Sequence, residues 1–453
     1  MNICFVANFY KTYFFENIAK ELEGKGYHIY WVCFDQKMYS YLLSTVDADN
    51  VLFLSKSVLD NKQAAISDFK LNELVNGDRF LRHQGEDGYN FLSSIQKPCY
   101  NFLLNNKIKF VFGEATHAHE VLIHRLTRRF PELECKYIQP QSVRIPSRRF
   151  CFMEDEFQSK LCTTEAGLNS QWKDEVEIIK AVKPRRVAQV DKTVKKELST
   201  TGRIKRLKRF FTQENINLDS PSVVADRLKR TEIAIKEEKN KFEYKFVETD
   251  HISILEGKKF VLYTLHMQPE ASVDVVGVYY DDQLQNIKNI WRILPDDWYI
   301  VIKEHSNAIG NRSKDFFKEF KKIRHSILLN EYSDSHSIID QSQAIFTVSG
   351  TIAYEAALKG KPAFTFADIF FNKLVNCMKI SLSTFRGIDN MESLLTEMEA
   401  DNQNKLDVKE FSDYLFKNSF YGIVDAPLDS EDWTDTNNII DVAKAFNEFM
   451  TKY

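Results

Sequence analysis

Residues 344–366, AIFTVSGTIAYEAALKGKPAFTF, contain one full repeat of an alternating fold. Ala344–Val348 reads as a buried strand, a short apolar run with β-branched and aromatic members. Ser349-Gly350-Thr351 then supplies turn and helix-start residues. Ile352–Leu358 reads as a helix, stopped by Gly360-Lys361-Pro362, and Ala363–Phe366 reads as the next strand. Parallel strands need a crossover between them, so strand, helix, strand in so short a span predicts a parallel sheet.

The same alternation extends upstream. Phe260–Leu265, Trp298–Ile302 and Ile327–Leu329 read as strands, with helices over Gln283–Ile293 and Lys314–Ile323. The first 140 residues repeat the scheme. Strands are expected at Asn2–Ala7, His28–Phe34, Val51–Leu54, Ile108–Phe112 and Lys136–Ile138, and helices at Tyr89–Leu104 and Val121–Arg129. The fold class is therefore α/β, with two Rossmann-like domains facing a cleft. The boundary is placed at 250/251, giving an N-terminal acceptor and catalytic domain over 1–250. A C-terminal nucleotide-sugar domain follows over 251–453. The closing helical stretch, Thr436–Thr451, is long enough to cross back onto the first domain. Residues 191–250 are polar and lysine-rich and read as a helical insertion with the basic run Arg203–Arg209. Such a run is either a solvated face or a surface for anionic lipid.

Composition narrows the function classes. The chain has 453 residues, 43% of them hydrophobic, and a net charge of -3, which gives no global argument for a nucleic-acid partner. Its seven cysteines form no CxxC pair, so reduced core thiols are expected rather than a zinc site. The N-terminal residues lack the pattern of a signal peptide, and no apolar run reaches a membrane-spanning length. A cytoplasmic location is expected, with any membrane contact peripheral, on the inner face.

Chemistry-bearing residues collect at strand ends, where open α/β sheets present ligand groups. After Phe260–Leu265 come His266, Gln268 and Glu270. After Trp298–Ile302 come Lys303-Glu304-His305 and then Arg312, cationic or cationisable groups suited to a phosphate. Ser349 or Thr351 is expected to cap the helix after Ala344–Val348. Gly350 leaves room for an anion at the helix N-terminus, and Glu355 stands about one turn inside, placed for a ribose. In the first domain, Ile108–Phe112 delivers Glu114, His117 and His119, a carboxylate and two imidazoles for acid–base or nucleophilic work. His117 and His119 are two residues apart, a spacing that gives weak metal evidence, and no metal or other cofactor is expected. Asp47-Ala-Asp49 is set aside as chance. Arg144, Arg148 and Arg149 form a basic patch for an acidic sugar or an acceptor phosphate, unless they pair with Glu154, Asp155 and Glu156.

The segments LHMQPEAS, DQLQNIKNIWRILPDDW, IKEHSNAIGNRS and TVSGTIAYEAALKGKPAFTF resemble bacterial capsule-synthesis glycosyltransferases, including the retaining β-Kdo transferases of capsule and O-antigen assembly. The likeness covers residues 258–372 most strongly, and FGEATHAHE and VRIPSRR more loosely. The relatives usually carry KEHP where this chain has Ser306 after Lys303-Glu304-His305. The resemblance implies a GT-B fold without an essential metal. It also implies a nucleotide held through Lys303, His305, Ser349, Gly350, Thr351 and Glu355, with His266 joining them by position. It implies a carboxylate nucleophile, for which Glu114 and Asp155 are the candidates. Arg144, Arg149 and Glu270 are expected to bind substrate. The expected partners are a nucleotide-activated sugar donor, CMP-Kdo favoured, and a lipid-linked or oligosaccharide acceptor. Two other functions suit the same fold: a nucleotide-sugar 2-epimerase and a non-catalytic glycan-assembly protein.

Overall fold

The computed structural model describes residues 1–56, 65–163, 196, 199, 201–202, 205, 208, 217–424 and 431–453. Of the basic run Arg203–Arg209, all but Lys205 and Lys208 lie outside the described residues; those two side chains are exposed. The strands, in chain order, are β1 (Asn2–Val6), β2 (His28–Cys33), β3 (Val51–Phe53), β4 (Phe110–Phe112), β5 (Lys136–Ser142) and β6 (Arg149–Met153). They continue as β7 (Phe260–Thr264), β8 (Tyr299–Lys303), β9 (Ser326–Leu329), β10 (Ala344–Thr347), β11 (Ala363–Thr365), β12 (Cys377–Lys379) and β13 (Phe420–Tyr421).

These strands form two sheets. The first has the order β13-β6-β5-β4-β1-β2-β3 and the second β12-β11-β10-β7-β8-β9. Every pairing in the second sheet is parallel. In the first, β1 to β5 pair in parallel, while β6 and β13 add antiparallel strands at one edge. Numbered within each unit, the strand order starts 3-2-1-4-5 in both. Each sheet therefore has a topological switch point, β1/β4 in one and β7/β10 in the other, where consecutive crossovers leave in opposite directions.

The central strands are apolar on both faces because helices cover both. Phe5, Trp31, Phe112 and Phe152 are fully or almost fully buried in the first unit, and Val261, Tyr263, Ile300 and Phe346 in the second. All seven cysteines are buried free thiols, as their apolar neighbours suggest.

The compact units comprise the described residues of 1–171, 213–230 and 415–453, and those of 172–212 and 231–414. This partition departs from a division at 250/251 in three segments, the described residues of 172–212, 231–250 and 415–453, and packing accounts for the last two. Tyr244, at the end of the helix Arg227–Tyr244, is buried in the core of the second unit beside Phe317. The helix Thr436–Lys452 buries Phe446 and Phe449 against Phe112 and Phe152 of the first sheet. It also packs along the helix Lys11–Glu23.

Three strands escape the sequence reading: β12, an edge strand of the second sheet, and the pair β6 and β13. Arg149–Met153 looks like the tail of an arginine-rich loop, yet Arg149, Phe150, Cys151, Phe152 and Met153 are all buried as β6. The tiny β13 pairs with it, Phe420 opposite Phe150.

Candidate functional site

Each switch point carries a cluster of polar side chains, and the two differ in kind. In the first unit, β1 runs into Asn8 and β4 into Gly113-Glu114. Gly113 is required here: a Cβ would stand 2.2 Å from the buried hydroxyl of Tyr137. Phe9 and Ala115, the residues after Asn8 and Glu114, both have left-handed backbone conformations, with φ of 41° and 50°. Non-glycine residues held there mark loops shaped by their surroundings.

Asn8 Nδ2 donates to Glu114 (3.2 Å), Thr116 (3.3 Å) and Glu120 (3.2 Å). The Lys11 ammonium pairs with Glu114 at 2.9 Å and donates to the Val424 carbonyl. Lys11 is buried at the start of a helix, where the dipole disfavours a cation, so these two partners matter to it. The Glu114 side chain keeps 23% exposure, whereas Glu120 has none. Glu120 accepts from the N–H groups of Thr116 (2.9 Å) and His117 (3.0 Å). Burial nevertheless pushes its carboxyl above the usual range, helped by the Glu114 charge and opposed by His117.

The expected imidazoles are present and buried. The rings of His117 and His119 are stacked, centroids 5.4 Å apart and 4° from parallel. Burial, with the nearby His117, lowers His119 to about 3, so this ring is neutral, and its Nδ1 has no partner among the described residues. His117 lies 3.6 Å from Asp78, a residue that sequence reading missed. Among the described residues, no three His, Cys, Asp or Glu side chains converge as metal ligands.

Asp155 is engaged otherwise. Its carboxylate accepts from the N–H groups of Phe157 (2.7 Å), Ser159 (3.1 Å) and Lys160 (2.7 Å) and from the Ser159 hydroxyl (2.9 Å). That is the pattern of a loop-organising aspartate. Arg149 is buried in β6, and its guanidinium donates to the Ser419 hydroxyl (2.9 Å) and to the Ser419 and Phe416 carbonyls. It lies over the Phe416 ring, and burial lowers it to about 10. This arginine ties β6 to the returning C-terminal segment, while Arg144 and Arg148 are exposed. Glu156, expected as a partner of the arginine patch, instead pairs with Arg125 (2.7 Å) and His124 (3.1 Å).

In the second unit the cluster is built from hydroxyls, amides and one imidazole. His266 follows β7 and is held on three sides. Its Nε2 meets the Thr347 hydroxyl at 2.7 Å, and its N–H donates to Gln283 (2.9 Å). Its carbonyl accepts from Arg312. Burial, with help from His305 and Arg312, lowers His266 to about 3, so it is a neutral ring. Arg312 is itself gripped by Glu304 through two oxygens, at 2.7 and 2.8 Å. It therefore acts as a brace for His266 rather than as an open phosphate ligand.

The helix Thr351–Leu358 begins at this switch point. Neither Ser349 nor Thr351 caps it, against the sequence expectation; Gly350 is the N-cap residue. The Ser349 hydroxyl reaches instead to the Ser272 carbonyl at 2.7 Å, and Thr347 accepts the Gly350 N–H at 3.3 Å. A Cβ on Gly350 would meet Thr347 Oγ1 at 2.7 Å and His266 Cε1 at 3.2 Å. The turn thus packs Gly350 against Thr347 and His266 at the start of a helix, and the N–H groups of Gly350 and Ser349 point to Thr347 Oγ1 and His266 Nε2. Thr351 is exposed, and Glu355 is half-buried one turn further on, its carboxyl raised by burial to about 7.

Lys303 ends β8 and donates to Ser335 at 2.8 Å. His305 is exposed at the next turn, where its ring accepts the Asn307 N–H at 3.2 Å. Glu270 precedes a short helix and accepts from the Ser272 hydroxyl at 3.1 Å. Sequence reading missed Thr347, Gln283, Asn8, Lys11, Asp78 and Glu120. Asn8 follows a central strand and is legible from topology; Thr347, inside β10, and Asp78 carry no such signal.

Several solved structures are similar to this chain. One is β-Kdo 2,7 transferase KpsC from Thermosulfurimonas dismutans, at 10% identity and TM-score 0.39, covering 100% of this chain and 99% of that one. UDP-GlcNAc 2-epimerase from Neisseria meningitidis is similar at 13% identity and TM-score 0.24, with full coverage of both chains. The epimerase from Methanocaldococcus jannaschii is similar at 14% identity and TM-score 0.24, covering 88% of this chain and 91% of that one. A search of curated proteins found no match. Residues 184–374, which include β7 to β11 and the whole second cluster, match the capsule polysaccharide biosynthesis protein family.

Proposed function

We propose that the chain is a GT-B glycosyltransferase that moves a sugar from a nucleotide donor to a bacterial surface polysaccharide, with Kdo from CMP-Kdo as the favoured donor. The observation that carries this reading is the Ser349-Gly350-Thr351 turn at the β7/β10 switch point. It combines a glycine at a helix N-terminus with a braced neutral histidine, features suited to a nucleotide phosphate. Lys303 and His305 add positive charge or hydrogen-bond donors at the next strand end, and Glu355 accepts from the ribose. The family match over 184–374 supports a role in capsule polysaccharide assembly.

In this reading the first unit supplies the reacting carboxylate and the acceptor site. Glu114 is preferred to Asp155, because Glu114 is partly exposed beside Lys11 and Asn8, whereas Asp155 is saturated by its own loop. A partly exposed carboxylate can deprotonate an acceptor hydroxyl or attack an anomeric carbon. Arg144 and Arg148 are exposed cations for an acidic sugar or acceptor. Arg149 holds the β6 edge through Ser419, and Glu270, beside Ser272 after β7, remains a substrate-binding candidate. The protein works at the cytoplasmic side of the membrane, on a lipid-linked or oligosaccharide acceptor. Among the described residues, no helix is long and apolar enough to cross a membrane.

The test is incubation with CMP-Kdo, UDP-sugars and GDP-sugars, with and without a capsular oligosaccharide, read by mass spectrometry. The expected result is an acceptor heavier by one sugar, and stabilisation of the protein by the matching nucleotide in a thermal shift. Conversion of a UDP-sugar without any acceptor would sink the proposal in favour of epimerisation.

A further inference from the structure

Asp78 lies in a short turn whose sequence, Gly77-Asp78-Arg79-Phe80, announces no site. The fold makes it a hub. Its carboxylate is 2% exposed and accepts from the N–H groups of Phe80 (2.8 Å) and Leu81 (2.9 Å) through Oδ1. Oδ2 accepts from Ala118 N–H at 2.9 Å and stands 3.6 Å from His117 Nδ1, an ion-pair distance. The His117 ring is clamped. Phe80 and His119 stack against it at 5.9 and 5.4 Å, and Phe9 tilts onto it at 5.6 Å.

The charged and titratable groups facing His117 are Asp78, Glu120, Arg79 and His119. Burial acts to lower His117, but Asp78 and then Glu120 outweigh it, and the net direction is upward. Burial would likewise raise Asp78, yet His117 and the backbone N–H groups hold it well below the usual carboxylate range. Two stacked imidazoles are therefore pushed in opposite directions, His117 upward by Asp78 and His119 down to about 3 by burial. A buried ion pair is weak evidence for stability as such, and its retention asks for another role.

We propose that Asp78 is a positioning residue, fixing the Nδ1 side of His117 so that the ring presents Nε2–H to a substrate oxygen that carries or gains negative charge. The inference rests on the transferase reading above, in which Glu114, three residues before His117, is the reacting carboxylate. An imidazole oriented by a carboxylate on one nitrogen has its other nitrogen's role set by that contact.

The experiment compares wild type with Asp78→Asn by 15N NMR titration of the His117 ring and by the pH profile of sugar transfer. The amide that replaces the carboxylate keeps an oxygen for the N–H groups of Phe80 and Leu81. The expected result has three parts. His117 titrates above the ordinary histidine value and drops by about one pKa unit or more in the variant. Transfer kcat falls on the order of tenfold or more, and the alkaline limb of its profile moves to lower pH. KM for the nucleotide sugar stays put.

His117→Gln guards against a folding artefact. In that background Asp78→Asn should add little to the loss; a full additional loss makes Asp78 a plain structural cap and overturns the inference. An unmoved His117 titration or an unmoved pH profile also overturns it. If wild type transfers no sugar while the NMR shift is seen, the transferase reading fails, and the positioning role falls with it. The NMR arm uses no sugar, so that failure is separable from a failure of the pair itself.

Discussion

The two switch points share a strand order and differ in chemistry. At β1/β4 the side chains are ionisable and mutually paired: Lys11 with Glu114, Asp78 with His117, and Glu120 under backbone N–H groups. At β7/β10 the central groups are neutral, with His266 held as a neutral ring by Thr347 beside Gly350. Topology thus fixes where a ligand can sit, and the residues at the strand ends decide which chemistry happens there. Ionisable groups are buried at one; hydroxyls, amides and a neutral ring gather at the other.

Four measurements test this contrast, from the largest expected effect downward. The first concerns what holds the charged cluster in place. Phe446 is fully buried against Phe5, Phe112, Phe150 and Phe152. Phe446→Ala should destabilise the first unit by about 3–5 kcal/mol, the usual cost of emptying such a site. Denaturation followed by hydrogen exchange should show early loss of protection in β1 and β4, with β7 and β10 unchanged. Equal loss in both sheets would erase the distinction between the units.

Second, Glu114→Gln should lower the transfer rate at least ~100-fold, the lower range for a positioned acid–base group. Nucleotide affinity should be nearly intact, because the proposed nucleotide contacts all lie at the other switch point. A native transfer rate in this variant would move the reacting carboxylate elsewhere. Third, His305→Ala and Thr351→Val should each weaken nucleotide binding by roughly 1–3 kcal/mol, measured calorimetrically. Two unchanged affinities would remove the anion seat from the β7/β10 turn.

The smallest effect is a pH dependence. Burial raises the Glu355 carboxyl to about 7, so it is mostly protonated below that value and ionised above it. If the ionised form accepts from a ribose hydroxyl, nucleotide affinity should rise from about pH 6 to about pH 8. The gain is about 1 kcal/mol, the difference between a charged and a neutral acceptor. Glu355→Gln should flatten that slope, and a slope that survives the substitution must come from another group.

Much of this was legible in the sequence, for physical reasons that differ between the two clusters. Gly350 and Glu114 announce themselves because each follows an apolar run, and strand ends are where parallel sheets expose ligand groups. β7, β8, β10 and β11 were readable because strands covered on both faces become continuous apolar runs. β6 was not, because its first residue is the buried Arg149, which pairs with no carboxylate among the described residues and donates instead to carbonyls more than 260 residues away in sequence. The same holds for Asp78, whose partner His117 is distant in sequence, and for Thr347, which looks like an ordinary strand residue until His266 meets it. Local pattern reports elements and their ends; which polar side chain meets which is a long-range fact. The helix cap failed for a smaller reason: Ser349 had a choice between its own helix and the Ser272 carbonyl, and took the carbonyl.

The returning segment also sets an order of events during synthesis. The second unit is drawn, among the described residues, from a chain segment that closes at Tyr414, so its sheet can form while the last part of the protein is still being made. The first unit is different. Its opening strand emerges first, yet the aromatic side chains that seal β1 and β4 arrive with Phe446 and Phe449. Without that segment, Phe5 and Phe112 lack the rings that cover them, and uncovered apolar surface of this kind favours misassembly. The core around β1 and β4 is thus closed by a segment that follows the second unit in the sequence, and Val424, the partner of Lys11 beside Glu114, comes with it.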